Sequence, residues 1–323
     1  MDRLLADDHK VIGIDDFNDY YSPTQKHANI IHNLKHQNFN LITADITSSD
    51  LHQRINALTH QRINTIIHLA ARAGVRSSIQ QPLLYEKVNV GGTLKILELA
   101  KELQVKHFIF GSSSSVYGNP STRSTNAQGR TERVECATSS GQVTPYKEDA
   151  PCDQPISPYA ATKRAGELLC YAYSNLYKIP TTVLRFFTVY GPRNRPDMAA
   201  FKFMDAIAKG KPIDFYGQNT SRDYTFVDDI TDGILAAINF SPNSFEIFNL
   251  GNSSPTGLSE FINTIEKTVG KKAILVKKEL PRGDVQTTYA NIFKAEKILK
   301  WKPKVNLKTG IGKLWEWYTS KKL

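Results

Sequence analysis

The sequence predicts an α/β protein built on a doubly wound parallel sheet. Short runs rich in β-branched and aromatic residues alternate with stretches of helical apolar spacing, and that alternation means parallel strands joined by crossover helices. The chain of 323 residues, 40% hydrophobic and 22% charged, is long enough for one large domain or two ordinary ones and has a globular balance.

The strands fall at 11–14, 41–44, 65–70, 107–111 and 182–187, with helical stretches at 51–60, 83–103 and 160–177. After Gly191 the pattern loosens. A helix at 228–240 and a strand at 247–250 are expected to return to the sheet, and the rest of the C-terminal part reads as a smaller, helix-rich domain. This organisation assigns 1–190, with 224–252, to the sheet domain, and 191–223 with 253–323 to the smaller one. Residues 119–143 stand apart: they are rich in Ser, Thr, Asn, Gln, Arg and Gly and nearly devoid of apolar residues, so a mobile loop is expected there.

The first strand, Val11-Ile12-Gly13-Ile14, runs into Asp15-Asp16. In a dinucleotide-binding unit it is the second strand that ends this way. Its carboxylate bonds the adenosine ribose, and a glycine-rich phosphate loop lies about 20 residues upstream. Counting back from Asp15 passes Met1, and Arg3-Leu4-Leu5-Ala6 reads as the tail of a helix. The expected sheet therefore has its first strand absent, together with the loop that grips a pyrophosphate. A chain without that loop is not expected to hold the dinucleotide at useful affinity.

No apolar run approaches the roughly 20 residues needed to cross a bilayer, and Met1 opens no signal-peptide pattern. Cys136, Cys152 and Cys170 have neither metal-ligand nor disulfide-framework spacing, which favours a reducing cytoplasm and no metal site. The net charge of +10 is spread along the chain, so an anionic small substrate accounts for it better than nucleic acid does.

The chemistry-bearing signal is Ser157-Pro158-Tyr159-Ala160-Ala161-Thr162-Lys163. Four-residue spacing puts Tyr159 and Lys163 on one helix face, a turn apart. A free tyrosine ionises near pH ~10, so half-ionising it at neutral pH needs about 4 kcal/mol of phenolate stabilisation. A nearby ammonium is a suitable source. Such a pair is usually just two neighbours on a helix surface. Here, however, the strand His107-Phe108-Ile109-Phe110-Gly111 ends in Ser112-Ser113-Ser114-Ser115, placing hydroxyls where open α/β sheets bind ligands.

With these residues the sequence resembles the extended short-chain dehydrogenase/reductase family, in particular its nucleotide-sugar epimerases. Ile67-His68-Leu69-Ala70-Ala71, Val88-Asn89-Val90-Gly91-Gly92-Thr93 and Ser221-Arg222-Asp223-Tyr224-Thr225-Phe226 are family-like. Ala70-Ala71-Arg72-Ala73-Gly74-Val75-Arg76 and Val189-Tyr190-Gly191-Pro192-Arg193-Asn194-Arg195-Pro196-Asp197-Met198-Ala199 are similar to the UDP-glucuronate 4-epimerase branch. The resemblance implies a Rossmann-like sheet domain that binds NAD and a C-terminal domain that binds the nucleotide sugar.

It also implies roles. Tyr159 would be the acid/base, Lys163 its activator and Ser113 the hydroxyl that bridges Tyr159 to the sugar. Asp15 would bind the adenosine ribose and favour NAD over NADP. Asp45 and Ile46 would flank the adenine, and Leu69, Ala70, Ala71, Asn89, Ser112 and Phe186 would line the cofactor. Arg222 and Arg282 would serve the diphosphate, with Asp284 beside them and Thr188 near the nicotinamide. Ser113 and Ser114, with Arg76 or Arg193, are candidates for a sugar carboxylate. The implied reaction is NAD-dependent 4-epimerisation of a UDP-sugar, foremost UDP-glucuronate to UDP-galacturonate, by way of a 4-keto intermediate, in a homodimer.

Elimination chemistry is disfavoured, because Ser114-Ser115 stand where a 4,6-dehydratase needs an Asp-Glu pair. UDP-glucose 4-epimerisation remains open as the nearest rival. So does a truncated, inactive chain that only binds or scaffolds. His68 is expected to be a satisfied core histidine, Asp228-Asp229 a helix cap and Gly91-Gly92 part of a helix.

Overall fold

The computed structural model describes residues 1–323 apart from 59–61, 120, 126–130, 136–143, 217–219, 241, 282 and 321–323. A short helix α1 (Asp2–Ala6) leads into β1 (Val11–Asp15). Helix α2 (Pro23–Ile30), capped by Ser22, returns to β2 (Phe39–Thr43). Next come α3 (Leu51–Leu58) and β3 (Thr65–His68), then α4 (Val75–Gln80), α5 (Pro82–Tyr85), a π-helical turn Glu86–Gly92 and α6 (Thr93–Glu102).

Strand β4 (His107–Ser113) precedes a hairpin of β5 (Ser121–Thr125) and β6 (Thr131–Glu135). Helix α7 (Pro158–Tyr177) starts where Ser157 Oγ accepts the Ala160 amide, with proline in the first turn, and stops at Lys178 in a left-handed conformation. Beyond it lie β7 (Thr181–Phe186), β8 (Thr188–Tyr190), α8 (Ala199–Ala208), β9 (Pro212–Tyr216), β10 (Ser221–Phe226) and α9 (Val227–Asn239). The chain closes with β11 (Phe245–Leu250), β12 (Pro255–Gly257), α10 (Leu258–Val269), β13 (Ile274–Lys278) and α11 (Leu307–Ser320).

Strands β3, β4, β7 and β11 form one parallel sheet in the order β11-β7-β4-β3. Along β4 and β7 only the C-terminal residues, Ser113 and Phe186, are not fully buried, as befits strands covered on both faces. Helix α7 presses against β4 through Gly166, where a Cβ would lie 2.5 Å from the Phe110 ring; glycine is what permits the approach. Among the described residues β1 pairs only with β2 and β3 only with β4, so one backbone edge of each stays unpaired. The two pieces share a core instead, in which Ile42, Ile55, Ile96, Leu97 and Phe108 are buried and Ile12 and Ile14 pack alongside.

The C-terminal part is helix-rich, as expected, and also carries strands. It contains a sheet of order β12-β10-β8 and a β9-β13 pair, with a core of Phe203, Met204, Phe215, Phe226, Phe261 and Leu314. These strands are short; β9 alternates in burial over only five residues, while β10 and β13 show no period of two. The polar insertion, expected as a loop, carries an antiparallel ladder from Ser121↔Glu135 to Thr125↔Thr131. Backbone pairing of adjacent segments needs no apolar core of its own.

Candidate active site

The carboxyl ends of β3, β4 and β7 meet the start of α7, and the hydroxyl-bearing residues gather there. The Ser113 side chain lies close enough to the Tyr159 phenol to favour its ionised form. Ser113 Oγ accepts the Ser115 amide and donates to Ser115 Oγ, both at 3.2 Å, so its orientation is fixed by the turn that follows β4. One helical turn on, the buried Lys163 donates from Nζ to the Gly111 carbonyl at 2.7 Å and lies 5.0 Å from the Phe110 ring centroid. The Tyr85 ring meets Tyr159 edge-on at 6.3 Å, closing one side.

Burial pushes the Tyr159 phenol up, while the nearby Ser113 side chain and the Arg195 charge pull it down. Burial pulls the Lys163 ammonium down to about 8, against the opposing charges of Cys170 and Glu167. Without a further positive charge beside it, Tyr159 is therefore a phenol. A nicotinamide ring adjacent to it would supply that charge.

The cofactor residues of the sequence reading occupy the strand ends. Asp15 is exposed, its Oδ1 accepting the Phe17 amide at 2.8 Å, and Asp45 is likewise exposed, accepting the Thr47 amide at 2.7 Å. Ile46 is buried and packs where a Gly92 Cβ would go, which explains that glycine. Asn89, also buried, binds both the amide and carbonyl of Arg72 at 2.7 and 2.9 Å and reaches Thr162 Oγ1 at 3.0 Å. It ties the turn after β3 to α7. Ser112 turns inward, donating to Glu167 at 2.6 Å.

Leu69 stands 48% exposed at the end of β3, with Ala70 exposed and Ala71 and Phe186 half-buried. An uncovered apolar floor, free carboxylates on two strand ends and a lysine beneath the tyrosine are a donor and surface set that fits a nicotinamide dinucleotide.

The substrate candidates divide into two groups. Ser113, Ser114 and Thr188 lie at the strand ends. Arg76, Arg222 and Asp284 form a separate cluster. Arg76 pairs with Asp284 at 3.0 Å and covers the Tyr216 ring at 4.4 Å, while Arg222 donates to the Ser221 and Gln286 carbonyls, each at 2.8 Å. Arg282 lies outside the described residues. Arg193 does not join either group: it is bound to Asp2 at 2.8 Å and to His32.

The arginine beside the site is Arg195, two residues on, whose charge acts on Tyr159, Tyr85 and Tyr21. It bonds Asp197 at 3.1 Å, and that carboxylate also accepts the Tyr20 hydroxyl at 3.1 Å. From this motif the sequence reading named Arg193 and passed over Arg195. His68 is a core residue, 3.0 Å from Thr93 Oγ1 and held neutral by burial, and no cluster of metal-ligating side chains occurs among the described residues.

A model of the NAD dependent epimerase/dehydratase family matches residues 1–251. The chain is 43% identical to an uncharacterised protein of Methanocaldococcus jannaschii over 100% of its own length and 93% of that protein's. It is 38% identical to a UDP-glucuronate 4-epimerase of Thermodesulfobacterium geofontis, covering 97% of this chain and 90% of the relative. The structure is similar to that of the UDP-glucuronic acid 4-epimerase of Bacillus cereus in complex with UDP-glucuronic acid and NAD. There the TM-score is 0.86 and the identity 32%, over 99% of this chain and 94% of the other. With the tyrosine, lysine and serine converging at the end of a parallel sheet, these matches place the chain in the NAD-dependent epimerase/dehydratase family.

Proposed function

We propose that the protein inverts C4 of UDP-glucuronate to give UDP-galacturonate, with NAD as its cofactor. The observation that supports this is the gathering of Ser113, Tyr159 and Lys163 at the end of β4, in a chain that matches a UDP-glucuronic acid 4-epimerase over 99% of its length. NAD, when bound, accepts the hydride from C4 and returns it to the other face of the ketone. Tyr159 takes the proton of the 4-hydroxyl and later gives it back. Ser113 orients that hydroxyl, and Lys163 supplies the positive charge that favours the phenolate.

Asp15 and Asp45 serve the adenosine end, while Leu69, Ala70, Ala71 and Phe186 serve the floor. Arg222 and Arg76 meet the diphosphate, where guanidinium geometry suits phosphate oxygens. Arg195 replaces Arg193 as the partner of the sugar carboxylate, with Ser114 and Thr188 beside it, because its charge and not that of Arg193 reaches Tyr159. The division of the chain into 1–190 with 224–252, and 191–223 with 253–323, belongs to the same proposal.

We also propose a homodimer. On α7, Leu168, Tyr171 and Leu176 are 54%, 56% and 68% exposed, a larger apolar face than a lone helix needs. The buried free thiols of Cys152 and Cys170 suit a cytoplasmic setting, and among the described residues no helix is long and apolar enough to cross a membrane.

The test is direct. The protein with NAD and UDP-glucuronate should yield UDP-galacturonate, resolved by anion-exchange chromatography. Tyr159→Phe should lower the rate by on the order of 10²–10⁴-fold. Absence of the product, or an undiminished Tyr159→Phe, would overturn the assignment.

A further inference from the structure

Tyr159, Lys163 and Glu167 follow one another at four-residue spacing on the inward face of α7. Two of them bond β4 directly, Lys163 to the Gly111 carbonyl and Glu167 to the Ser112 hydroxyl at 2.6 Å, and Tyr159 lies where the Ser113 side chain acts on its phenol. Arg185 is the cross-strand neighbour of Ser112 on β7, and it grips Glu167 at both oxygens, each at 2.8 Å. The side chains of Arg185 and Glu167 are 1% and 0% exposed. Arg164 adds a third cation at 2.8 Å. The guanidinium is held from its other side by the Glu148 carbonyl at 3.1 Å and by the Tyr117 ring, 4.8 Å away.

A buried ion pair of this kind adds little net stability, because desolvation offsets the attraction. Its directional bonds do something that apolar packing does not. The contact of Gly166 with Phe110 sets how close α7 lies to the sheet. The fork of bonds on Glu167 sets how far the helix is slid and turned.

We propose that Glu167 and Arg185 are positioning residues, which fix the register of α7 on β4 and so hold Tyr159 and Lys163 where the proton transfer requires them. This rests on the assignment of Tyr159 as acid/base. The same carboxylate acts electrostatically on Lys163. The groups facing that ammonium are Glu167 and Cys170 on α7, His68 on β3, and the Phe110 ring and Gly111 carbonyl on β4. Of these, Glu167 supplies a fixed negative charge that keeps the proton on Lys163.

The experiment is steady-state kinetics of the full chain with UDP-glucuronate and NAD, for Glu167→Gln, Ser112→Ala and Tyr159→Phe in parallel, across pH. Glu167→Gln should lower kcat by on the order of 10²-fold, as a displaced acid/base group does. KM for the UDP-sugar should move by less than about twofold, and the alkaline limb of the rate should shift to lower pH. Ser112→Ala, which deletes one bond to the clamp and leaves the ion pair, should lower kcat about tenfold in the same pattern.

A lower melting temperature with unchanged kcat and unchanged pH profile would mean a purely structural clamp and would overturn the proposal. If Glu167→Gln does not fold, Ser112→Ala decides by the same criteria. An active Tyr159→Phe would sink the acid/base assignment itself. An inactive Tyr159→Phe beside a fully active Glu167→Gln would sink only the clamp.

Discussion

The strands β4 and β7 and the ribbon β1-β2 belong to the same half of the molecule, yet they are held by different means. Strands β4 and β7 are bonded to neighbours on both edges and buried along nearly their whole length. Among the described residues the ribbon pairs with no other strand. Its residues Val11 to Ile14 are half-buried, and it joins the rest through Ile12, Ile14 and Ile42 in a shared apolar core. The reacting groups sit on the first region, on β4 and the helix locked to it. The carboxylates assigned to the far end of the dinucleotide, Asp15 and Asp45, sit on the second. Proton transfer depends on placement to a fraction of an ångström, whereas a hydrogen bond to a ribose tolerates more motion.

The largest effect should come from the rigid side. Lys163→Met keeps the bulk of the side chain and removes its charge, so kcat/KM should fall by on the order of 10²–10⁴-fold. In the unaltered protein burial lowers the ammonium to about 8, so activity should decline as pH rises through that value, while the methionine variant shows no such limb. A wild-type rate that stays level to pH ~9 would detach Lys163 from the chemistry.

Native-state hydrogen exchange compares the two regions directly. Amides of β4 and β7 should exchange through global unfolding. Those of β1 and of the free edge of β3 should exchange by local opening, at least about 10²-fold faster. Equal protection would mean that the shared core holds the ribbon as firmly as backbone pairing holds the sheet.

Much of the rigid side was legible in the sequence. The run Val-Leu-Arg-Phe in 183–186 and Phe-Ile-Phe in 108–110 marked central strands to within a residue or two, because strands covered on both faces are continuously apolar. The tyrosine, lysine and serine were legible by spacing and by their place at a strand end. Partnership was not. Arg185 inside an apolar strand and Glu167 one turn after Lys163 were each visible, but only the β4-β7 register makes them neighbours across Ser112. Arg193 was named and Arg195 passed over, since only the fold shows Asp2, distant in sequence, bound to the first. The C-terminal strands were missed because Ile274 to Lys278 are exposed at every position and carry no pattern of burial.

A third contrast lies in two buried histidines on adjacent strands. His68 on β3 bonds Thr93, and His107 on β4 lies 2.9 Å from Thr182 Oγ1. Burial lowers them to about 3 and about 4, from an unfolded value of 6.5. As bases held neutral in the fold, they leave stability whole above pH ~6.5. Stability then drains as pH falls toward 4, where the unfolded chain binds protons that the folded one refuses. The loss should be on the order of a few kcal/mol, read from urea denaturation at successive pH values. His107→Gln should flatten part of the slope. A flat wild-type profile would mean that both imidazoles take up protons in the fold as they do in the unfolded chain.

The smallest effect is expected at the ribbon. Asp15→Asn preserves the oxygen that accepts the Phe17 amide, so the turn after β1 survives and only the charge is removed. A carboxylate that binds ribose hydroxyls at an exposed strand end should cost about tenfold in NAD dissociation constant when neutralised. The preference for NAD over NADP should narrow as well, since the repulsion of a 2′-phosphate goes with the charge. Isothermal titration with each dinucleotide measures both. Loss comparable to that of Lys163→Met would place the ribbon among the parts that the chemistry depends on. An effect confined to dinucleotide affinity would leave the ribbon as a grip and the β4-β7-α7 unit as the reaction site.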